Sequence, residues 1–322
     1  MNRPIASDVD VIVTHRDTST EGVVVFELRA KEGEALPDWT SGAHVDVLQP
    51  SGLVRQYSLA GQPGSEVWRL GVLREADARG GSTWMCDSLQ EGQTLRLAGP
   101  RTHFPFDAEG AARLGAPVIL LAAGIGITPL IPMAAEAAQA GLDYRLHYSG
   151  HEGRMAFLPE LEAAHGRRLT THVSERDGRA DLDAILGSAE PGTRVYCCGP
   201  ARFIDAAEAA AAKAGLEFHT ERFEAEALTP PIWPGPFDVE LAMSGLTVTV
   251  PPERSILDVV EENGVFVLSS CHEGTCGTCE TPVLEGELDH RDSILTPQER
   301  ARGDVMFICV SRAACPRIVL DL

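Results

Sequence analysis

The sequence reads PVILLAAGIGITP from Pro117 to Pro129, with no charged residue in that stretch. The apolar run from Pro117 to Ala123 is typical of a strand buried on both faces of a parallel sheet. The glycines that follow predict a tight turn into a helix that runs to Ala140, with Thr128 as its N-cap and Pro129 as its first residue. The stretch therefore predicts a strand, a glycine turn and a helix of an α/β domain.

This glycine turn is also a candidate binding site. A helix N-terminus attracts phosphate, and glycines let the backbone approach a ligand closely. The predicted contacts of a dinucleotide pyrophosphate are Gly124, Gly126, Thr128 and Pro129. Two glycines in a turn are a weak signal by themselves, because tight packing of a strand on a helix explains them equally well.

The surrounding residues, 106–228, continue the alternation of apolar strands with alanine-rich helices. Strands are predicted at 145–148, 169–173 and 194–198, and helices near 154–164, 181–187 and 201–214. This order predicts a doubly wound α/β domain. The strand at 194–198 belongs to the same sheet, so its end, with Cys198, Gly199 and Pro200, is predicted to face the same crevice as the glycine turn. Because side chains alternate along a strand, Cys197 is predicted to lie in the core.

The segments on either side follow different patterns. Residues 1–105 contain short β-rich runs between glycine and proline turns, which predicts an antiparallel β-barrel. Residues 225–236 carry four prolines and predict a linker. A third domain, 237–322, begins with a predicted hairpin and a helix with Ser255 as its N-cap. The predicted domains are therefore 1–105, 106–228 and 237–322.

Composition excludes several classes of partner. A formal net charge of −20 argues against binding to nucleic acid or to an anionic membrane surface. No apolar run is long enough to span a bilayer, and Met1 to Asp8 lacks the apolar core of a signal peptide, so we expect a cytoplasmic protein. Cysteines stay reduced there, which favours metal or catalytic roles over disulfides.

Three cysteines lie within the nine residues CHEGTCGTC, from Cys271 to Cys279. Cys271, Cys276 and Cys279 have the spacing C-x4-C-x2-C of plant-type [2Fe-2S] sites, and Cys309 is the predicted fourth ligand. A zinc site more often uses paired C-x2-C knuckles. Cys315 competes with Cys309, which is preferred because it lies in a predicted strand from Val305 to Val310.

The remaining cysteine prediction concerns Cys86 and Cys315. Both are more typical of buried small residues than of ligands. Cys86 is predicted to lie in a helix.

Five motifs in a fixed order carry a family resemblance. They are Arg55 to Leu59 (RQYSL), Gly80 to Thr83 (GGST), the turn from Gly124 to Pro129, Tyr196 to Pro200 (YCCGP), and the cysteine loop. The chain resembles, over nearly its whole length, the phthalate dioxygenase reductase family, whose flavin and iron–sulfur reductases serve Rieske-type oxygenases. The resemblance implies a flavin-binding β-barrel, a pyridine-nucleotide domain and a C-terminal β-grasp ferredoxin-like domain.

The resemblance also implies roles for the motif residues. Arg55 and Gln56 would contact the flavin, Arg55 at its phosphate; Tyr57 would pack on the isoalloxazine, and Ser58 would hydrogen-bond near N5. The phosphate would also meet Gly80, Gly81, Ser82 and Thr83. Phe223 would lie near the flavin, and Cys198 near the nicotinamide. Ser58 and Cys198 are the predicted catalytic residues.

Cofactors and partners follow from the same resemblance. It favours FMN over FAD, and Glu152 favours NADH, although Arg154 or His151 would suit the 2′-phosphate of NADPH. Electrons would pass from NADH through flavin and the [2Fe-2S] cluster to a Rieske-type terminal oxygenase, with the protein acting as a monomer. A cytochrome P450 partner and a redox-sensing role are the alternatives.

A docking surface is the last prediction. Four acidic residues that follow the cysteine loop would form a rim for a basic partner, or be solvated loop charges. They are Glu285, Glu287, Asp289 and Asp292.

Overall fold

The computed structural model describes residues 8–31, 35–75 and 80–322. The chain divides into two compact units, Met1–Glu221 and Arg222–Leu322. The three predicted domain ranges stay predictions, because the first unit includes both the barrel and the α/β segments.

The first unit begins with a six-stranded antiparallel sheet. Its elements are β1 (Asp8–Asp17), β2 (Val23–Ala30), β3 (Ala43–Leu48), β4 (Val54–Ser58), β5 (Trp68–Leu73), α1 (Gly81–Ser88) and β6 (Thr94–Thr102). The strand order is β4-β3-β6-β1-β2-β5. A bridge between Leu59 and Leu70 joins the two ends of that order, which closes the sheet into a barrel. Phe26, Trp68 and Met85 lie in its buried core.

A parallel sheet follows in the same unit. Its elements are α2 (Ala108–Leu114), β7 (Val118–Ala123), α3 (Leu130–Gln139), β8 (Tyr144–Gly150), α4 (Leu158–His165), β9 (Leu169–Val173), α5 (Ser174–Asp177), α6 (Leu182–Gly187), β10 (Arg194–Cys198), α7 (Ala201–Ala214) and β11 (Glu217–Glu221). The strand order is β11-β10-β7-β8-β9, all parallel. Separate apolar cores cover the two faces, so the sheet is doubly wound.

The glycine turn has a different local structure from the prediction. Residues Gly124–Ile127 form a 3-10 turn, and α3 begins at Leu130 with Pro129 as its N-cap. Thr128 is itself helical, and its hydroxyl donates to the Ile125 carbonyl at 2.9 Å. The prediction of Thr128 as the N-cap is therefore wrong, because the 3-10 turn already uses its hydroxyl.

Helix α4 also begins later than predicted. Its first residue is Leu158, and Phe157 before it has a left-handed backbone with φ of 62°. The turn ahead of Leu158 therefore replaces the first helical turn predicted from residue 154.

The second unit contains a five-stranded mixed sheet. Its elements are β12 (Phe237–Leu241), β13 (Leu246–Val250), α8 (Ile256–Glu262), β14 (Glu280–Glu285), β15 (Leu288–Asp289), α9 (Pro297–Arg300), β16 (Val305–Phe307), β17 (Arg312–Ala313) and β18 (Arg317–Leu320). The strand order is β13-β12-β18-β14-β16, with β15 and β17 paired separately. Strands β12 and β13 form the predicted hairpin, and the Ser255 hydroxyl caps α8 at the Asp258 amide.

Strand β16 is shorter than predicted. It ends at Phe307, and Cys309 lies in the turn that follows. The strand was predicted to run to Val310 and to include Cys309. In the structure Cys309 instead lies two residues beyond the end of β16.

Candidate functional site

Four cysteine side chains meet in the second unit. The Cys271 thiol contacts those of Cys276 and Cys309, and Cys279 contacts Cys309. Cys276, Cys279 and Cys309 are buried, and Cys271 is partly buried. The structure thus brings the three thiols of the cysteine loop together with that of Cys309, which lies much further along the sequence.

The backbone around Cys271 favours a thiolate. The amides of Glu273 and Thr275 point at its Sγ, at 3.3 and 3.5 Å. Hydrogen bonds from the Cys276 and Cys309 thiols, together with these amides, lower the pKa of Cys271. Soft thiolates surrounded by amide donors fit an iron–sulfur cluster.

The same four thiols would suit a two-iron cluster. Within the described ranges, no three His, Cys, Asp or Glu side chains converge on one point as ligands of one metal ion. A two-iron cluster instead spreads its four sulfur ligands over two metals, so contacts between pairs of thiols are compatible with it. Cys271, Cys276, Cys279 and Cys309 would hold that cluster.

Cys315 lies elsewhere and does not compete for the fourth position. Its Sγ accepts from the Glu287 amide at 3.3 Å and donates to the Arg317 carbonyl at 3.0 Å. It is only partly buried, so the prediction of a buried Cys315 is wrong. Cys86 is buried in α1, as predicted.

A candidate phosphate site lies where β4 meets α1. A Cβ on Gly81 would lie 2.5 Å from Arg55 Nε, so a larger residue there would displace the Arg55 side chain from the helix start. Gly80 is left-handed, with φ of 83°. The Ser82 hydroxyl accepts from the Glu75 amide at 3.2 Å, and the Thr83 hydroxyl donates to the Glu75 carbonyl. A guanidinium beside a helix N-terminus suits a phosphate group.

The other residues of the RQYS motif differ in their surroundings. Gln56 donates to Asp46 at 2.9 Å, so its amide is already engaged within the barrel. Tyr57 packs against the barrel core, and burial raises its pKa. Ser58 is 5% exposed at the end of β4. Tyr57 lies two residues after Arg55 on β4. Its flat aromatic side chain is compatible with packing against the planar ring of a flavin.

The carboxyl ends of β7 and β10 meet at the switch point of the parallel sheet. A Cβ on Gly126 would collide with the Cys198 carbonyl, and one on Gly199 would lie 2.9 Å from the Ala123 Cβ. These two glycines therefore serve backbone packing. Gly124 differs: its φ is +56° and no atom lies within 4 Å of its Cβ position, so it leaves room for a ligand.

Both cysteines of the YCCGP motif are fully buried. Cys197 belongs to the core on one face of the sheet and Cys198 to the core on the other. Burial raises the pKa of the Cys198 thiol, as does the neighbouring Glu221. Cys198 therefore lies at the predicted sheet edge as a neutral thiol, and Pro200 follows it as the N-cap of α7.

Sequence reasoning missed Glu221, the last residue of β11. It lies beside Cys198 in the sheet, and Ser58 Oγ donates to its Oε2 at 3.3 Å. His44 Nδ1 lies 3.9 Å from Oε1. Burial raises the pKa of Glu221 to about 8, although 13% of its side chain is exposed. No strand was predicted at 217–221, so the sequence offered no signal for this glutamate.

Two basic residues after β8, His151 and Arg154, contact carboxylates. His151 Nδ1 lies 2.7 Å from Glu175, which also accepts from the Glu152 amide at 3.1 Å. These hydrogen bonds, from His151 first, lower the pKa of Glu175 to about 2. Arg154 pairs with Glu21. Glu175 was not singled out from the sequence.

Phe223 and the acidic rim belong to the second unit. Phe223 is 42% exposed and lies in the segment before β12. Asp289 and Asp292 are buried, with 7% and 1% exposure, so they cannot face a partner. The prediction of a four-residue acidic rim is therefore wrong, because two of its carboxylates accept backbone hydrogen bonds inside the unit.

Comparison with known proteins places the chain in a family. Residues 239–314 match the family described as 2Fe-2S iron-sulfur cluster binding domain. A putative toluene-4-sulfonate monooxygenase system reductase subunit of Comamonas testosteroni is 41% identical, over 99% of this chain and 100% of that protein. The solved structure of phthalate dioxygenase reductase is 33% identical, with a TM-score of 0.68 over 98% of both chains. The chain belongs to the phthalate dioxygenase reductase family.

A second solved structure shows the same architecture within a longer protein. An intact type IV self-sufficient cytochrome P450 monooxygenase is 36% identical, with a TM-score of 0.90 over all of this chain. This chain spans 43% of that protein. Membership of the phthalate dioxygenase reductase family confirms the predicted fold class and makes the chain an oxidoreductase with an iron–sulfur domain. None of the described helices has the length and apolar content needed to cross a bilayer.

Proposed function

We propose that the protein is the NADH-dependent reductase component of an oxygenase system. The observation that carries this proposal is the pairing of two sites in one chain: four contacting thiols in the second unit, and the Ser58–Glu221 contact beside Cys198 in the first. The relative from Comamonas testosteroni is named as a reductase subunit of a monooxygenase system. A Rieske-type terminal oxygenase is the proposed acceptor.

The proposed chemistry divides between the bound groups and the chain. When bound, a flavin accepts a hydride from NADH and a [2Fe-2S] cluster carries the electrons onward one at a time. Ser58 and the largely buried Glu221 form a hydrogen-bonded pair that holds a proton at the end of β4. Tyr57 presents an aromatic side chain at the barrel core, and Cys198 lies beside Glu221 on the neighbouring strand.

FMN is the proposed flavin. Arg55 and the start of α1, with Gly80 to Thr83, form a compact anion site that suits a terminal phosphate. FMN ends at its phosphate, so this site accounts for its polar end without an adenosine pocket.

NADH is the proposed nucleotide. The basic residues that would meet a 2′-phosphate, His151 and Arg154, each contact a carboxylate, Glu175 and Glu21 respectively. That pairing reduces the attraction of this surface for an extra phosphate. Glu152, in the same turn, is exposed and suits ribose hydroxyls.

The proposal also covers the domain assignment, the oligomeric state and the cellular location of the protein. The flavin, nucleotide and cluster domains are assigned to residues 1–105, 106–228 and 237–322. The protein is proposed to act as a monomer in the cytoplasm, where free cysteines that bind metal would stay reduced.

Anaerobic titration of the purified protein with NADH tests the proposal. Bleaching of the flavin absorbance, followed by the electron paramagnetic resonance signal of a reduced [2Fe-2S] cluster, is the expected result. A flavin that neither NADH nor NADPH reduces would overturn the reductase function and favour a redox sensor.

A cytochrome P450 is the second candidate acceptor. It is supported by the structural match to the P450 monooxygenase that contains a region like this chain. Electron delivery to a purified Rieske-type oxygenase and to a purified P450, measured side by side with NADH, separates the two acceptors.

A further inference from the structure

The four contacting cysteines come from two separated parts of the second unit. Three lie in the loop from Cys271 to Cys279, and Cys309 lies in the turn after β16. The segment Arg291–Ser293, here called the clamp segment, touches both parts. The Ser293 amide donates to the Gly274 carbonyl at 3.0 Å, and the Arg291 amide donates to Ser311 Oγ at 3.2 Å.

The middle residue of the clamp segment packs directly against the cysteine loop. Gly274, between Cys271 and Cys276, is left-handed with φ of +73°. A Cβ there would lie 3.1 Å from the Asp292 Cα and 2.6 Å from the Val310 Cγ2. Asp292 and the residue after Cys309 therefore meet at the same glycine, which fixes the spacing of the two ligand-bearing parts.

The Asp292 side chain has no solvent-exposed surface. Its Oδ1 accepts from the amides of Ile294 and Leu295, at 3.0 and 2.8 Å. Its Oδ2 lies 3.8 Å from His290 Nδ1, beyond hydrogen-bond distance. A buried carboxylate is costly, and the two amides offset part of that cost. Because solvent does not screen it, its charge acts on whatever the neighbouring loop holds.

The basic residues around Asp292 differ in the charge that they bring to it. Burial lowers the pKa of His290, so its imidazole is neutral at pH 7. Arg291 lies 3.9 Å from Asp289, which offsets its charge. Arg300 adds one cation to the clamp, since its guanidinium donates to the carbonyls of Asp292 and Leu295 at 2.6 and 3.1 Å.

We propose that the clamp segment holds the two ligand-bearing parts together and that the Asp292 carboxylate lowers the reduction potential of the [2Fe-2S] cluster, while Arg300 raises it. A nearby negative charge disfavours adding an electron to the cluster, and a nearby positive charge favours it. The proposal rests on the cluster of the proposed function, but it is independent of the acceptor.

Redox titration of the flavin-loaded full-length protein tests the electrostatic part. For Asp292→Asn we expect the one-electron equilibrium to shift about tenfold toward the reduced cluster, equal to about 59 mV. For Arg300→Gln we expect a shift in the opposite direction. Asp304→Asn removes an exposed carboxylate of the same unit and is the matched control, with an unchanged potential.

Opposite shifts of the reduction potential in Asp292→Asn and Arg300→Gln distinguish an effect of charge from a structural disturbance of the cysteine loop. If Asp292→Asn moves the potential no further than Asp304→Asn, or if Asp292→Asn and Arg300→Gln move it in the same direction, the electrostatic role is refuted. If Asp292→Asn fails to fold, the direction of the Arg300→Gln shift decides.

Cluster retention tests the clamp. Loss of the visible cluster absorbance in the presence of an iron chelator should be at least several-fold faster for Asp292→Ala than for the parent and Asp304→Asn. Equal rates would refute the clamp. A parent protein that never shows the cluster spectrum would refute the proposed function instead, so the two failures are distinguishable.

Discussion

Replacing Glu221 by glutamine tests whether the largely buried Glu221 carboxyl group holds a proton beside Ser58. Burial raises the pKa of Glu221 from 4.5 to about 8. Between these two pH values the folded protein holds a proton that the unfolded chain has released. The contribution of Glu221 to stability is therefore fully present below pH 4.5 and is lost progressively as the pH rises to 8.

The size of this effect follows from the pKa difference. Each unit of pKa shift is worth about 1.4 kcal/mol, so the full loss is about 5 kcal/mol, of which about 2–3 kcal/mol falls between pH 6 and pH 8. Glu221→Gln cannot ionise and removes this dependence. For a unit of this size, the difference corresponds to a change in Tm of about 5–10 °C between the two pH values.

Tryptophan fluorescence during thermal unfolding of the full-length protein is a suitable assay. Three of the four tryptophans, Trp39, Trp68 and Trp84, lie in the first unit. Glu217→Gln is the matched control, since Glu217 lies on the same strand with 54% of its side chain exposed. We expect the Tm of the parent and the control to fall more steeply from pH 6 to 8 than that of Glu221→Gln. Parallel curves for all three proteins would refute the assignment of a raised Glu221 pKa.

Three further substitutions test other parts of the site. Gly126→Ala places a Cβ against the Cys198 carbonyl, so we expect a loss of about 1–3 kcal/mol in stability and a raised KM for NADH, measured by thermal unfolding and steady-state kinetics. Cys309→Ser should abolish the cluster spectrum and leave flavin reduction by NADH intact, whereas Cys315→Ser should retain both; loss of the cluster only in Cys315→Ser would contradict the ligand assignment. Glu175→Gln removes the partner of His151, so the ratio of kcat/KM for NADH to that for NADPH should fall a few-fold, and an unchanged ratio would show that this turn does not select the nucleotide.

The charge pattern of the second unit shows where prediction from sequence fails. Asp289 and Asp292 look like surface charges in the sequence, yet both are buried and accept backbone hydrogen bonds. Nothing in the local sequence distinguishes them from the exposed Glu287. Burial of a carboxylate depends on which backbone amides the fold brings to it, and those amides come from turns that only the folded unit contains.

The sequence by itself determined the fold class and the candidate ligands within the cysteine loop. The apolar run ending at Ala123 and the spacing of Cys271, Cys276 and Cys279 are local patterns. A buried strand requires such a run, and a plant-type cluster loop requires such a spacing, so a short stretch of sequence records both. Only the tertiary structure decided that Cys309 and not Cys315 joins them, and that Glu221 meets Ser58 across 163 positions. Such contacts depend on the packing of whole sheets and on the desolvation of the groups between them, which no short stretch of sequence records.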